Sequence, residues 1–474
     1  MVMENNVIFR LSKCLRFCAS FPGVVGIVFL IAKLVAPSSA NSQSINDALI
    51  STYINNPTLL AARVGLTATD EGVPQALSSW RPSVTMSMDY GHSRITNTRN
   101  SGSDIDQVRQ PKSVALNISQ PIYRGGRTLA ATSKAENQVA AARARLIGTE
   151  QTVLLKAITA FQNVFRDKAV LSLNKNNERV LKRQLEATRD RFQVGEISRT
   201  DVHQAEARLA KAVADRIQSE GALEISRANY VNVVGAPVPG NLQEAKLPEG
   251  LPKTRDEAIK AAATKNPAVI GAEYDKRAAK DNINSVRGEL RPTVTLDAAL
   301  SRKNESAAES GWTETKSVTL KLSVPIYQNG SVYSRLRAAK QSAAKSTQTI
   351  DEGRRNAVEA ASKSWDSLVT ARARVNAFRT QIDANVVALE GVQREAAVGS
   401  RTVLDVLDAE QELLDSRVSY VRAQSDELLT SYELLSSVGG LTARELSLDV
   451  ELYDPRRYYN SVRDKVIGTS LDGR

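Results

Sequence analysis

The sequence predicts a mainly helical α+β chain written twice, with four short amphipathic strands set between long coiled-coil helices. Three observations lead there: motifs recur at a fixed offset, two very long stretches hold no proline, and four short segments alternate apolar with polar residues. Asn56-Pro57 returns as Asn266-Pro267, and Arg81-Pro82-Ser83-Val84-Thr85 as Arg291-Pro292-Thr293-Val294-Thr295, both 210 residues on. Ser113 to Tyr123 returns as Ser317 to Tyr327, Asp201-Val202 as Asp405-Val406 and Val234-Gly235 as Val438-Gly439, now 204 residues on. One connection between Pro82 and Pro121 is therefore six residues longer in the first copy. Self-similarity at such a period marks a duplicated structural unit.

The first 40 residues read as a secretory signal. Arg10, Lys13 and Arg16 precede an apolar run from Phe17 to Ala32, and Ser38-Ser39-Ala40 offers small residues for cleavage after Ala40. Lys33 interrupts the run, so a retained N-terminal anchor is the competing reading. Cys14 and Cys18 are the only cysteines and both fall here, which leaves the cleaved chain no disulfide or thiol chemistry. Losing this segment takes the formal net charge from +11 to +8. Acidic and basic residues alternate along the rest, without the Lys/Arg run that nucleic-acid binding asks for. Beyond Ala40 no window supplies the roughly 18 apolar residues of a membrane-spanning helix. Entry into a bilayer would have to be by strands.

The first unit runs over 41–240 and the second over 256–440, with a linker at 241–255 and a tail at 441–474. Each begins with a helical stretch, about Ile45 to Ser79 in the first, where Pro57, Gly72 and Pro74 predict breaks. A strand hairpin follows, about 83–120 and again about 293–324. No proline then occurs between Pro121 and Pro237, or between Pro325 and Pro455, and good helix formers fill both stretches. Gly195 and Gly399 divide them into helices at 127–193 and 200–234, then 331–397 and 402–438. Sixty-seven residues make a rod of roughly 100 Å. The two shorter pieces of each unit, end to end, match that length, which predicts stacked short helices beside one continuous helix. Leu407, Leu414, Val421, Leu428 and Leu435 recur every seven residues and ask for a partner helix in coiled-coil geometry.

Val84, Met86, Met88 and Tyr90 alternate with Thr85, Ser87 and Asp89, and Val318, Leu320, Leu322 and Val324 with Thr319, Lys321 and Ser323. Val114 to Ser119 alternates similarly, and Val294 to Leu300 more weakly. The period of two gives each strand one greasy and one wet face. Polar loops, about Gly91 to Lys112 and Ser301 to Lys316, would face outside. Pro82, Pro121, Pro292 and Pro325 mark the places where strand meets helix, since proline ends a ladder. Gly125-Gly126 and Asn329-Gly330 then start the long helices. Singly, each strand also suits the edge of a soluble sandwich. Four strands cannot close a barrel, and a sheet edge cannot be left open in lipid; closed membrane barrels start at about eight strands. Three copies would supply twelve.

These residues resemble the TolC-type outer-membrane efflux and secretion channels over nearly the whole chain after Ala40. The resemblance rests on the Pro-Ile-Tyr-x-x-Gly junctions, on Arg191-Phe192-Gln193-Val194-Gly195 followed by Thr200-Asp201-Val202, and on Val398-Gly399-Ser400-Arg401-Thr402-Val403-Leu404-Asp405-Val406-Leu407-Asp408-Ala409. It implies a homotrimer with a twelve-stranded barrel in the outer-membrane lipid, continued by an α-helical barrel across the periplasm. At the far end a periplasmic adaptor and an inner-membrane pump of RND or ABC type would dock, and substrate would pass without chemistry. It further implies that Asp405 and Asp408 form acidic rings at a narrow entrance, where i, i+3 spacing puts both on one helical face. Two solvated aspartates on an exposed helix are the bland alternative.

Asp201 and Arg401 match polar links that hold the family's entrance shut, while Ala396 stands where a latch tyrosine would be. Gly195, Thr200, Gly399 and Arg401 match the adaptor groove at the tip. Tyr123 and Tyr327 fall at the barrel-to-tunnel junction and suit either an interfacial aromatic girdle or packing inside it. His92 and His203 are far apart and make no metal or catalytic set, and no cofactor motif occurs. A periplasmic adaptor, a coiled-coil scaffold and a freely open porin are the other classes considered. An adaptor normally carries its helical hairpin once and lacks duplicated strand pairs, and a porin turns short loops, not long helices, to the periplasm.

Overall fold

The computed structural model describes residues 43–97, 105–306 and 310–470; the candidate signal segment lies outside them. Three short helices come first: α1 (Ile45–Asn55), α2 (Pro57–Asp70) and α3 (Gly72–Leu77). Strands β1 (Ser83–Tyr90), β2 (Ser93–Asn97), β3 (Ile105–Arg109) and β4 (Lys112–Arg124) follow, then α4 (Arg127–Gln193) and α5 (Arg199–Val234). The second copy consists of α6 (Arg255–Lys265), α7 (Pro267–Gly288), β5 (Thr293–Asn304), β6 (Trp312–Ser323), α8 (Ser331–Ala397) and α9 (Val403–Ser437). A short α10 (Arg457–Val462) lies in the tail. Among the described residues no helix is long and apolar enough to cross a membrane.

Both long helices have 67 residues. Each starts from two successive left-handed residues, Gly125 and Gly126 in one copy and Asn329 and Gly330 in the other. Only glycine and asparagine enter that region cheaply. At the first of these junctions space is also limiting: a Cβ on Gly125 would come within 2.3 Å of the Gly288 carbonyl oxygen.

Stacking of the shorter helices rests on the repeated Asn-Pro pair. Asn56 accepts from the Thr58 N–H at 3.0 Å, capping α2, and its Nδ2 donates to the Val233 carbonyl at 2.9 Å, near the end of α5. Asn266 does the same, accepting from the Ala268 N–H at 2.9 Å and donating to the Ser437 carbonyl at 3.0 Å. One side chain thus satisfies orphan groups of two helices that meet end to end, and proline at the first helical position sets the next helix going. The largest core gathers at this level: Leu49, Tyr53, Leu154, Phe161, Tyr230 and Leu434 are buried together. The linker joins it through Gln43, which bridges Leu242 and accepts from the Tyr230 hydroxyl at 2.8 Å. The tail straps the same level. Ala443 N–H donates to Glu150 at 2.7 Å, Tyr453 N–H to the Tyr53 hydroxyl at 3.0 Å, and the Tyr458 hydroxyl to Glu71 at 2.7 Å.

The strands form one antiparallel sheet in the order β1-β4-β5-β6, so the hairpins of both copies join through β4 and β5. Beyond it β2 and β3 form a separate two-stranded ribbon. The stretch 91–112, expected as a polar loop, therefore holds a second hairpin, and the six extra residues of the first copy belong to it. In the second copy β5 runs to Asn304 and β6 starts at Trp312, so the expected loop at 301–316 shrinks to its middle. Charged residues such as Arg302 and Glu314 disguised these strand ends as loop, but they face each other across the ladder. Pro121 does not end its strand. β4 continues to Arg124, and Pro121 sits at a register shift beyond Ser119, the last residue paired with β1. A bulge on a one-sided stretch is where a strand tolerates a residue without N–H. Pro82 and Pro292 immediately precede β1 and β5, and Pro325 follows β6.

Candidate functional site

Two regions hold the residues that the sequence singles out: the strand sheet at one end of the helices and the paired turns at the other. Register decides the first. Val84 faces Ile118, Met86 faces Leu116 and Met88 faces Val114; Leu296 pairs Gln120 and Leu320, and Ala298 pairs Ile118 and Val318. Directly opposed residues share a face, so the apolar alternations of four strands merge into one surface. On the other face Ser113 donates to Asp89 at 2.8 Å and Ser119 to Asp297 at 2.6 Å. Seven apolar side chains of the edge strands (Val84, Met86, Met88, Tyr90, Val318, Leu320, Leu322) are 60 to 75% exposed in the protomer. Leaving them in water forgoes on the order of 10 kcal/mol, as much as a whole domain's net stability. Both outer strands, β1 and β6, also keep one unpaired edge. Tyr123 in β4 and Tyr327 after β6 are exposed at the helix end of this sheet.

At the far end the two turns are built alike. Gly195 and Gly399 have φ of +81° and +79°, with open space around them, so the backbone alone requires glycine. Glu196 N–H donates to the Arg191 carbonyl and Ser400 N–H to that of Glu395, each at 3.0 Å, closing the helix ends. The next helices open on matched capping boxes. Asp201 Oδ2 accepts from the Ser198 hydroxyl at 2.7 Å and Asp405 Oδ2 from the Thr402 hydroxyl at 2.8 Å. The Thr402 backbone N–H and its hydroxyl hold the Asp405 carboxyl below the usual range. Val403 and Leu407 pack with Leu181, Leu185, Val202 and Ala205, which locks the two hairpins together just above the turns.

The predicted residues divide accordingly. Gly195, Thr200, Gly399 and Arg401 are all exposed on the turns. Asp405 and Asp408 are close on α9, but Asp408 is bonded to Arg208 of α5, across the two repeats. Asp201 and Arg401 are not joined to each other in the protomer. Arg401 pairs instead with Glu395 at 2.9 Å, which, with a smaller contribution from Asp405, holds the guanidinium still more firmly charged. The first copy closes its turn likewise, Arg191 to Glu196 at 3.0 Å. Arg208 escaped the sequence reading because its contact needs the adjacency of α5 and α9, whereas its repeat counterpart, Glu412, carries the opposite charge. His203 contacts Glu206 at 3.1 Å, and that carboxyl is pulled down by Arg189 first and His203 second.

An apolar sheet at the end of a helical column some 100 Å long, with matched capped turns at its tip, defines a membrane-anchored channel wall. The chain belongs to the outer membrane efflux protein family, whose sequence profile matches residues 49–236 and 258–440, one match per repeat. It is 32% identical over 453 residues to the outer membrane efflux protein BepC of Brucella suis biovar 1 (strain 1330), covering 95% of this chain and 97% of that one. It is 24% identical over 412 residues to the outer membrane protein TolC of Escherichia coli (strain K12), covering 83% and 81%. The solved outer-membrane channel OprN superposes with a TM-score of 0.73 at 19% identity, over 84% of this chain and 90% of that one. The fold is of the TolC type.

Proposed function

We propose that three copies of this chain form an outer-membrane exit duct, the last component of a tripartite efflux pump or type I secretion system. The observation that carries this is the sheet: one continuous exposed apolar face with two unpaired edges. Both are intolerable in a lone protomer and both are resolved when β6 of one copy pairs with β1 of the next in lipid. Twelve strands then close, Tyr123 and Tyr327 lie at the inner interface, and the helices extend the bore into the periplasm. The duct binds and positions its cargo's path without catalysis.

At the tip, Asp405 and Asp408 repeat threefold into two negative rings that favour cations. Asp201 and Arg401 act between neighbouring copies to hold the entrance narrow. Exposed ion pairs contribute about 0–1 kcal/mol each, so a docking partner can override three sets. Gly195, Thr200, Gly399 and Arg401 form the seat for a periplasmic adaptor, which links the duct to an inner-membrane pump of RND or ABC type.

Fractionation and single-channel recording test the proposal. The protein should pellet with outer membranes, require detergent and run as a trimer. In planar bilayers it should conduct, and Arg401→Ala should raise the resting conductance. A detergent-free, water-soluble monomer would overturn the duct, while unchanged conductance in Arg401→Ala would remove only that residue from the gate.

A further inference from the structure

The outer end of the apolar face carries charge where the remainder carries none. Passing away from the helices, β4 presents Ile118, Leu116, Val114 and then Lys112, while β5 presents Leu296, Ala298, Leu300 and then Arg302. On β6 the same sequence ends in Lys316 and Glu314. Lys112 and Arg302 are diagonal neighbours across the β4–β5 ladder, since Lys112 faces Asn304 and Val114 faces Arg302. Such positions lie about 7–8 Å apart.

Their charges are differently balanced. Lys316 is paired with Glu314 at 2.8 Å. Among the described residues Lys112 and Arg302 make no salt bridge; Glu314 faces Arg302 across the strands but is already taken. Each lies over an aromatic ring instead, Lys112 at 5.5 Å from the Tyr90 centroid and Arg302 at 5.1 Å from that of Trp312. The rings fix the cations at the edge of the greasy band without neutralising them. Just inward lies a groove of about 540 Å³, walled by Met86, Val114, Leu116 and Leu300, with Lys112, Arg302, Asn304 and the Glu314 carboxylate at its mouth. Three cations, Lys112, Arg302 and Lys316, stand against the one carboxylate of Glu314, so the channel's mouth keeps a net positive charge. An apolar channel with such an end matches one kind of molecule, an acyl chain carrying a net anionic head. The two donors suit the several acceptor oxygens of a phosphate.

We propose that this groove binds a bilayer acyl lipid whose phosphate head is net anionic, its chain lying along Met86 and Leu300 and its phosphate bridging Lys112 and Arg302, with no headgroup cation to oppose them. The proposal rests on the reading of this face as lipid-exposed. It does not depend on the periplasmic tip.

Native mass spectrometry of the full protein in detergent tests it, with phosphatidylglycerol and phosphatidylcholine of equal chain length as probes. The expected result is preferential retention of phosphatidylglycerol. In Lys112→Gln/Arg302→Gln that retention should weaken about tenfold, the loss of one or two charge-assisted contacts, while Lys303→Gln on the opposite face should leave it unchanged. Glu314→Gln should tighten it, which keeps the test open should the double variant misfold. Equal retention of both lipids by the wild type, or no change in the double variant, overturns the site while the trimer stands. Full competition by inorganic phosphate alone would show that the groove plays no part and would also overturn it. A protein needing no detergent would bring down the lipid-facing reading itself.

Discussion

At the residue scale the tip is a balance between caps and charges. Asp201 and Asp405 occupy equivalent positions, each spending one oxygen on its own helix start, so in the proposed entrance local folding and charge would draw on the same carboxylate. Asp408 is held differently, by Arg208. Multivalent cations applied from the helical side should therefore block single-channel current, and Asp405→Ala/Asp408→Ala should relieve the block. Arg208→Ala should deepen it by freeing Asp408; an unchanged block in that variant would show that the pair does not set the charge of the entrance.

Another carboxylate matters for stability. Asp70, 1% exposed, has neither oxygen hydrogen-bonded, and burial pushes its pKa up to about 6 despite Arg143 nearby. A raised acid pKa means the folded state holds the proton longer than the unfolded one. Stability contributed here is intact below about pH 4 and falls as pH rises toward 6. Asp70→Asn should gain about 1–3 kcal/mol at pH 7.5, seen as a higher thermal midpoint by circular dichroism, with no gain near pH 4. A gain of equal size at both values would assign the effect to packing. Nothing in the sequence marks Asp70, because its burial depends on where α2 meets α4 and the tail.

At the element scale, the duplication was plain from spacing, and the reason for its best-kept motif emerges only in three dimensions. Pro57 reads in the sequence as a break in a helical stretch; with Asn56 it forms a splice between stacked helices. Asn266→Ala should cost about 1–2 kcal/mol, through a lost cap and an orphaned carbonyl, while Asn266→Asp, which keeps the acceptor but not the donor, should cost less. Equal losses in denaturant midpoint would show that the cap accepted from Ala268 contributes nothing, and an unchanged midpoint in Asn266→Asp would show that the donated bond to Ser437 does nothing. Strand ends were the least legible elements. Alternation signals burial on one face, so it fades where strands leave the greasy band, and Trp312 to Lys316 and Ile105 to Arg109 read as loop. Pro121 misled for a related reason: its effect depends on which neighbour strands reach it.

At the scale of the whole molecule, what could be read was what the chain lacks. Beyond Ala40 the sequence holds no apolar stretch long enough to span a bilayer, and its four amphipathic strands are too few to close, which already implies company. Which surfaces meet was not readable, since helix periodicity gives one stripe per helix and says nothing of the partner. The asymmetry of the long helices answers part of it. α4 buries 22 residues and α8, of equal length, only 7. The chain wraps its first rod and leaves its second at the border, where an adjoining copy would complete it.

The near-identity of the two turns has a bearing on symmetry. In the proposed ring of three chains, six turns would stand at the inner end, alternating between two closely related kinds, those at Gly195 and Gly399. At the opposite mouth the β2–β3 ribbon occurs in one repeat only, so the outline there is strictly threefold. On that reading the outer mouth would carry three projections, and the inner rim would be nearly hexagonal.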